Sequence, residues 1–143
     1  MSLFAHPLDA IAVLAVAALF GGMLLFVLVV TPTVFRSLGG APAQSFLRAL
    51  FPIYYVYLAV TALVGCVATI TPNPRLGMLL AAIAVSAAGL RQFVMPRVNA
   101  ARDAEQAGDA GAAAQFRSLH RLSFAVNLAQ LLVAGVVVVR LLR

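Results

Sequence analysis

The apolar run Ala10–Val30 carries no charged and no hydrogen-bonding side chain. About 20 such residues is the length an α-helix needs to cross the ~30 Å hydrocarbon core of a bilayer. Three further runs of helical length follow: Ile53–Ile70, Leu76–Leu90 and Leu122–Val139. A soluble domain of 143 residues could not hide them, because 64% of the chain is hydrophobic, only 10% is charged and the mean hydropathy is +1.05. In lipid every backbone amide must bond within its own segment, so these runs are helices. The sequence therefore predicts an all-α membrane protein, an antiparallel four-helix transmembrane bundle in one domain. The spans fall at about 10–31, 51–71, 75–96 and 121–141.

Punctuation between the runs sets the connections. Thr31-Pro32 predicts a bend, and Gly39-Gly40 a helix stop. Pro42 opens the second helix, whose first turns, Ala43–Leu50, read as interfacial, before a further bend at Phe51-Pro52. Tyr54, Tyr55 and Tyr57 are expected at the interface, where amphipathic rings collect. Asn73 caps the third helix and Pro74 is its first residue. Arg97–Gln106 and Ala112–Arg121 are polar extensions of the third and fourth helices around a tip at Ala107–Gly111, with Asp103 and Glu105 giving pairing within the extension. Ala17 with Gly21, and Ala18 with Gly22, invite close backbone approach. Met1–Leu8 has no basic region, against a cleaved signal peptide. Pro32 and Pro96 close the first and third spans alike, which alone is too little to read as a repeat.

All ten basic residues are arginine. Arg36, Arg48, Arg91, Arg97, Arg102, Arg117 and Arg121 fall on one side of the bundle, and Arg75, Arg140 and Arg143 on the other. The positive-inside rule puts the first group in the cytosol, so the extensions of helices three and four project there. The expected location is a bacterial inner membrane, with both termini on the outer side. A net charge of +6 confined to helix ends and loops suits anionic lipid headgroups, not nucleic acid. The single cysteine, Cys66, lies in an apolar run and cannot form an internal disulfide.

One stretch breaks the apolar pattern from within. His120, Ser123, Asn127 and Gln130 recur in steps of three, four and three, on one face of the fourth helix. Arg36, Tyr54, Tyr55, Arg91 and Gln92 lie at the same end of their own helices, so all nine residues outline a polar pocket at the cytoplasmic face. Arg91 has no acidic residue in any span and needs acceptors there: tyrosine oxygens, the Asn127 or Gln130 carbonyl, or an incoming anion. The plainer reading makes Ser123, Asn127 and Gln130 interhelical glue, each worth about 1 kcal/mol or less, with Arg91 snorkelling to the headgroups. His120 with Met95 is the one pairing suited to an axial haem or metal ligand set, since His6 belongs to the opposite face. Which cofactor the chain holds, if any, stays open. No span carries a carboxylate pair, a nucleophile–base set, a phosphate loop or a metal cluster, so no enzyme activity and no metal site are expected.

Three segments carry a resemblance: Gly22 through Pro32-Thr-Val-Phe35-Arg36-Ser-Leu38, then Leu50-Phe51-Pro52-Ile-Tyr54-Tyr55, then Phe116-x-x-x-His120-x-x-Ser123-x-x-x-Asn127. A weaker one runs from Arg91 to Pro96-Arg97 and Asn99. On these the chain resembles the transmembrane protein 205-like family, small four-span membrane proteins of unknown function. The resemblance implies signature residues grouped at one membrane face and no established activity. In plan alone it is similar to copper-resistance membrane proteins and a haem-pathway oxidase. The expected role is a non-enzymatic accessory or assembly component, partnered by another membrane protein or by further copies as a homo-oligomer. The alternatives are a haem- or metal-handling redox protein using His120, and a small anion or metal-complex transporter.

Overall fold

The computed structural model describes residues 7–143. The expected leader, including His6, lies largely outside them. Four rods, Pro7–Leu38, Gly40–Thr69, Pro74–Gln106 and Ala112–Leu141, are each long and apolar enough to cross a membrane. At 1.5 Å per residue they measure roughly 45–50 Å, well beyond a ~30 Å hydrocarbon core. The first rod is α1 (Pro7–Leu25), a π-helical turn (Phe26–Val30) and α2 (Thr31–Leu38). The second is α3 (Gly40–Thr69). The third is α4 (Pro74–Gly89), a second π turn (Leu90–Val94) and α5 (Met95–Gln106), and the fourth is α6 (Ala112–Leu141). The chain is a four-helix membrane bundle.

The rods pack as a ring. α1 lies on α3 and α6, α3 on α4, and α4 on α6, while α5 runs beside the first turns of α6. Leu19, Leu58, Leu80 and Val137 are buried at the centre. The outside is equally apolar, with Leu14 at 69% and Val85 at 72% exposure, which only a lipid solvent tolerates. Small residues let the rods close. A Cβ on Gly22 would sit 2.5 Å from the Tyr57 ring, whose hydroxyl donates to the Ala18 carbonyl at 2.5 Å. This is the close approach expected of the Ala18/Gly22 pair, whereas Gly21 faces open space.

The stops behave as their chemistry requires. Gly39 takes φ 61°, a conformation that favours glycine, and ends α2. The Asn73 side chain accepts from the Leu76 amide at 3.3 Å, with Pro74 opening α4. The second helix starts at Gly40, ahead of Pro42, and runs unbroken through Pro52. Its first turns do not lie flat on an interface: Ala43 and Leu47 are buried against Val34 of α2. The bend expected at Thr31-Pro32 is a π turn, and Met95-Pro96 has another. Proline lacks the amide for the helical ladder and its ring crowds the carbonyl one turn back. A wider turn accommodates both, the preceding residue bonding five positions back: Thr31 to the Phe26 carbonyl, Met95 to that of Leu90.

The tyrosines pack against neighbouring rods. Tyr55 is 1% exposed at the bundle centre, Tyr54 stacks on Phe26 at 4.1 Å, and Tyr57 reaches α1. Neighbouring helical positions point about 100° apart, so three close tyrosines serve three different contacts.

Candidate functional site

The end of the bundle where the first two rods meet at Gly39, and the last two at the turn Ala107–Gly111, holds a cavity of about 470 Å³. Its walls are α2, the first turns of α3, α5 and the first turns of α6. Phe35, Phe51, Met95 and Phe116 supply apolar surface, and Gln44, Asn99 and His120 polar surface. These are mostly the residues that carried the family resemblance, now gathered from all four rods.

The electrostatics of this groove are closed internally. Arg48 donates to Asp103 through both guanidinium nitrogens, at 2.6 and 2.9 Å, bridging α3 to α5. The pairing raises the Arg48 pKa and holds the Asp103 carboxyl below its ordinary range. Arg102 pairs with Glu105 at 2.7 Å, donates to the Gln44 oxygen at 3.4 Å, and lies 4.8 Å over the Phe116 ring. Phe116 in turn stacks on His120, one helical turn on, at 5.8 Å. Glu105 thus pairs within the extension as expected, whereas Asp103 pairs across it.

The nine sequence-derived pocket residues do not share one place. Tyr55, Ser123, Asn127 and Gln130 turn inward. The Asn127 amide nitrogen donates to the Tyr55 hydroxyl at 3.0 Å and the Ser123 carbonyl at 2.8 Å. The Gln130 nitrogen donates to Ser86 Oγ at 2.8 Å, and Ser86 donates to the Ala82 carbonyl at 2.7 Å. Asn127 Oδ1 and Gln130 Oε1 are buried and accept no hydrogen bond from the described residues. Below Gln130 the helix face is apolar again, with Ala134 and Val137 buried among the core residues, so the polar file ends inside the bundle. It extends about 15 Å from His120.

The other members lie apart. Tyr54 belongs to an aromatic group with Phe26 and Phe51. His120 is exposed in the groove. Arg36 is exposed in the last turn of α2, where a cation suits the helix dipole. Arg91 and Gln92 are exposed on the outer face of the second π turn, and Arg91 bonds to neither the tyrosines nor the α6 amides expected to receive it. The π turn is the reason: it presents Arg91, Gln92 and Phe93 together outward. His120 and Met95, the haem or metal pairing, do line the same cavity. Among the described residues no three His, Cys, Asp or Glu side chains come together.

Ser86, Arg48 and Asp103 were not among the nine. Ser86 gave a signal as a hydroxyl inside an apolar helix. Arg48 and Asp103 gave one as opposite charges, one in the first turns of the second helix and one on the extension of the third, but nothing local pairs residues that far apart in sequence.

The model of the family described as Domain of unknown function (DUF4149) matches residues 14–107, from within α1 to the end of the third rod. The match includes Phe35, Phe51, Met95 and Asn99 of the groove and stops before His120. Neither curated proteins nor solved structures match the chain.

Proposed function

The chain belongs to the DUF4149 family, and from that premise we propose that it is a non-enzymatic membrane protein of the transmembrane protein 205-like type. It acts as an accessory component that receives its ligand or partner segment in the groove between the helix extensions. One observation carries this: six side chains from all four rods, Phe35, Phe51, Met95, Asn99, Phe116 and His120, line one cavity. Its charged members are already paired, Arg48 with Asp103 and Arg102 with the neighbouring Glu105, which suits a ligand with an apolar body and neutral hydrogen-bonding edges. The apolar closure below Gln130 favours binding over passage of a solute. By the arginine distribution the groove opens into the cytosol of a bacterial inner membrane, with both termini outside.

The test is a photo-crosslinking residue placed at Asn99, in the groove, and at Phe124, exposed on the fourth rod. In native membranes the Asn99 site is expected to yield one discrete adduct, lost when Gln44→Trp fills the cavity, and the Phe124 site only lipid. Lipid adducts alone at both sites would sink the reading. A second reading has haem or a metal held by His120 with Met95, favoured by their common cavity. An absorbance spectrum and metal analysis of detergent-purified protein, repeated on His120→Ala, decides it.

A further inference from the structure

A second concavity, of about 580 Å³, opens sideways between α3 and α4 and faces the surrounding lipid. Its floor is small: Ala59, Ala88 and Gly89. A Cβ built on Gly89 meets nothing within 4 Å. The valines Val56, Val60 and Val85 form its rim, and one end carries Arg91 and Gln92.

Arg91 has no ion-pair or hydrogen-bond partner among the described residues, and the carboxylates of the chain are committed elsewhere. Asp103 holds Arg48 and Glu105 holds Arg102. Asp109 accepts from the Gly111 amide at 2.8 Å, and Asp9 stands in the first turn of α1, at the other end of the bundle. A guanidinium this close to the hydrocarbon needs an anion or headgroup oxygens around it. The fork of donors matches phosphate in particular.

We propose that this groove is a site for an anionic phospholipid: an acyl chain lies over Ala59, Ala88 and Gly89, and its phosphate is held by Arg91 beside the Gln92 amide. The small residues matter because they hollow a channel that larger side chains would fill. The headgroup preference follows from local charge. Arg36, Arg48, Arg97, Arg102, Arg117 and Arg121 crowd the same end, outnumbering Asp103, Glu105 and Asp109. A zwitterionic lipid would bring its own ammonium into that positive field without a net negative charge to offset it; phosphatidylglycerol brings a net negative charge and no ammonium.

The experiment is native mass spectrometry of the full chain in mild detergent, titrated with phosphatidylglycerol or phosphatidylethanolamine. The wild type is expected to retain one phosphatidylglycerol, at about fivefold higher occupancy than phosphatidylethanolamine. Arg91→Gln loses that preference, and Gly89→Leu loses the retained lipid while keeping the charge. Arg97→Gln, a turn and a half beyond, changes neither. Equal retention of the two lipids, an unaltered Arg91→Gln, or an Arg97→Gln loss as large as that of Arg91→Gln overturns the proposal. So does a cysteine at Val85 that cross-links two copies, which would make the groove a face between protomers. If Arg91→Gln fails to fold, Gly89→Leu decides alone.

Discussion

Gln130→Met should leave the bundle as stable as the wild type or more so, although it removes a buried interhelical hydrogen bond. The Gln130 nitrogen donates to Ser86 at 2.8 Å, but its oxygen is buried without a partner. Interhelical hydrogen bonds in membranes average ~0.6 kcal/mol, because the unfolded chain also finds partners there. A buried orphan carbonyl costs about 1–3 kcal/mol. Ser86 remains bonded to the Ala82 carbonyl when Gln130 goes, so no new orphan forms. Methionine fills nearly the same volume. The balance favours the variant by about 1 kcal/mol. Asn127→Leu differs in sign, since the Tyr55 hydroxyl is buried and Asn127 is its partner. That variant loses the bond and strands the hydroxyl, while shedding its own orphan oxygen, for a net loss of about 1 kcal/mol. Adding Tyr55→Phe should recover most of the loss, which a double-mutant cycle measures directly. The assay is reversible unfolding in mixed micelles, followed by far-UV circular dichroism. A Gln130→Met loss of 1 kcal/mol or more would refute the reasoning, by showing that the Gln130 oxygen is satisfied in the folded protein.

Other expectations follow from the same geometry. Gly22→Val should cost roughly 1–3 kcal/mol, because its Cβ meets the Tyr57 ring, whereas Gly21→Val into open space should cost little; paired melting curves separate them. The Arg48–Asp103 bridge should open in acid. Asp103 is depressed in the folded state, so its contribution is present above the ordinary carboxylate pKa and lost as pH falls through the folded value. Spin labels flanking the bridge on α3 and α5 should report that opening, and Asp103→Asn should abolish its pH dependence. Pro96→Ala restores an amide to the ladder and should let the second π turn close into α-helix. Closing it would rotate α5 by about 100° relative to α4. Disulfide formation between cysteines at Arg48 and Asp103 would then fall.

How much of this was legible depended on whether the signal was local. Four apolar runs, the Gly39 stop, the Asn73 cap and the turn at Ala107–Gly111 each follow from residues within a few positions of one another, and each is where the sequence put it. The α6 stripe was legible as a face, and its inner half does meet partners from α3 and α4. What could not be read was the direction of residues on the other rods. Arg91 was placed beside Asn127 on depth alone, but depth leaves rotation about the helix axis undetermined, and the π turn changes that rotation locally. Arg48 with Asp103 needed the bundle to be assembled first.

The two π turns also revise the weight given to Pro32 and Pro96. Each stands two residues past the end of a five-residue π turn, in the first rod of a hairpin, with a glycine-containing turn beyond it. The hairpins have rods of 32 and 30 residues, then 33 and 30. Two prolines in a sequence are weak evidence, but seated in the same uncommon backbone device they give the first and third rods the same kind of joint. The departures from the pattern then become informative. The first π turn, Phe26–Val30, is wholly apolar, whereas the second carries Arg91 and Gln92. The polar file likewise belongs to α6, whereas the buried polar side chains of α3, Tyr55 and Thr69, stand far apart along the helix. Both joints stand where the rods pass from the bundle into the walls of the groove, and the second carries Leu90 and leads into Met95, both in the core cluster, so a change of winding there reaches core and cavity together. The first and third rods share a joint, and the groove draws its lining from both hairpins, Phe35 and Phe51 from the first and Met95, Asn99, Phe116 and His120 from the second, so its shape depends on both.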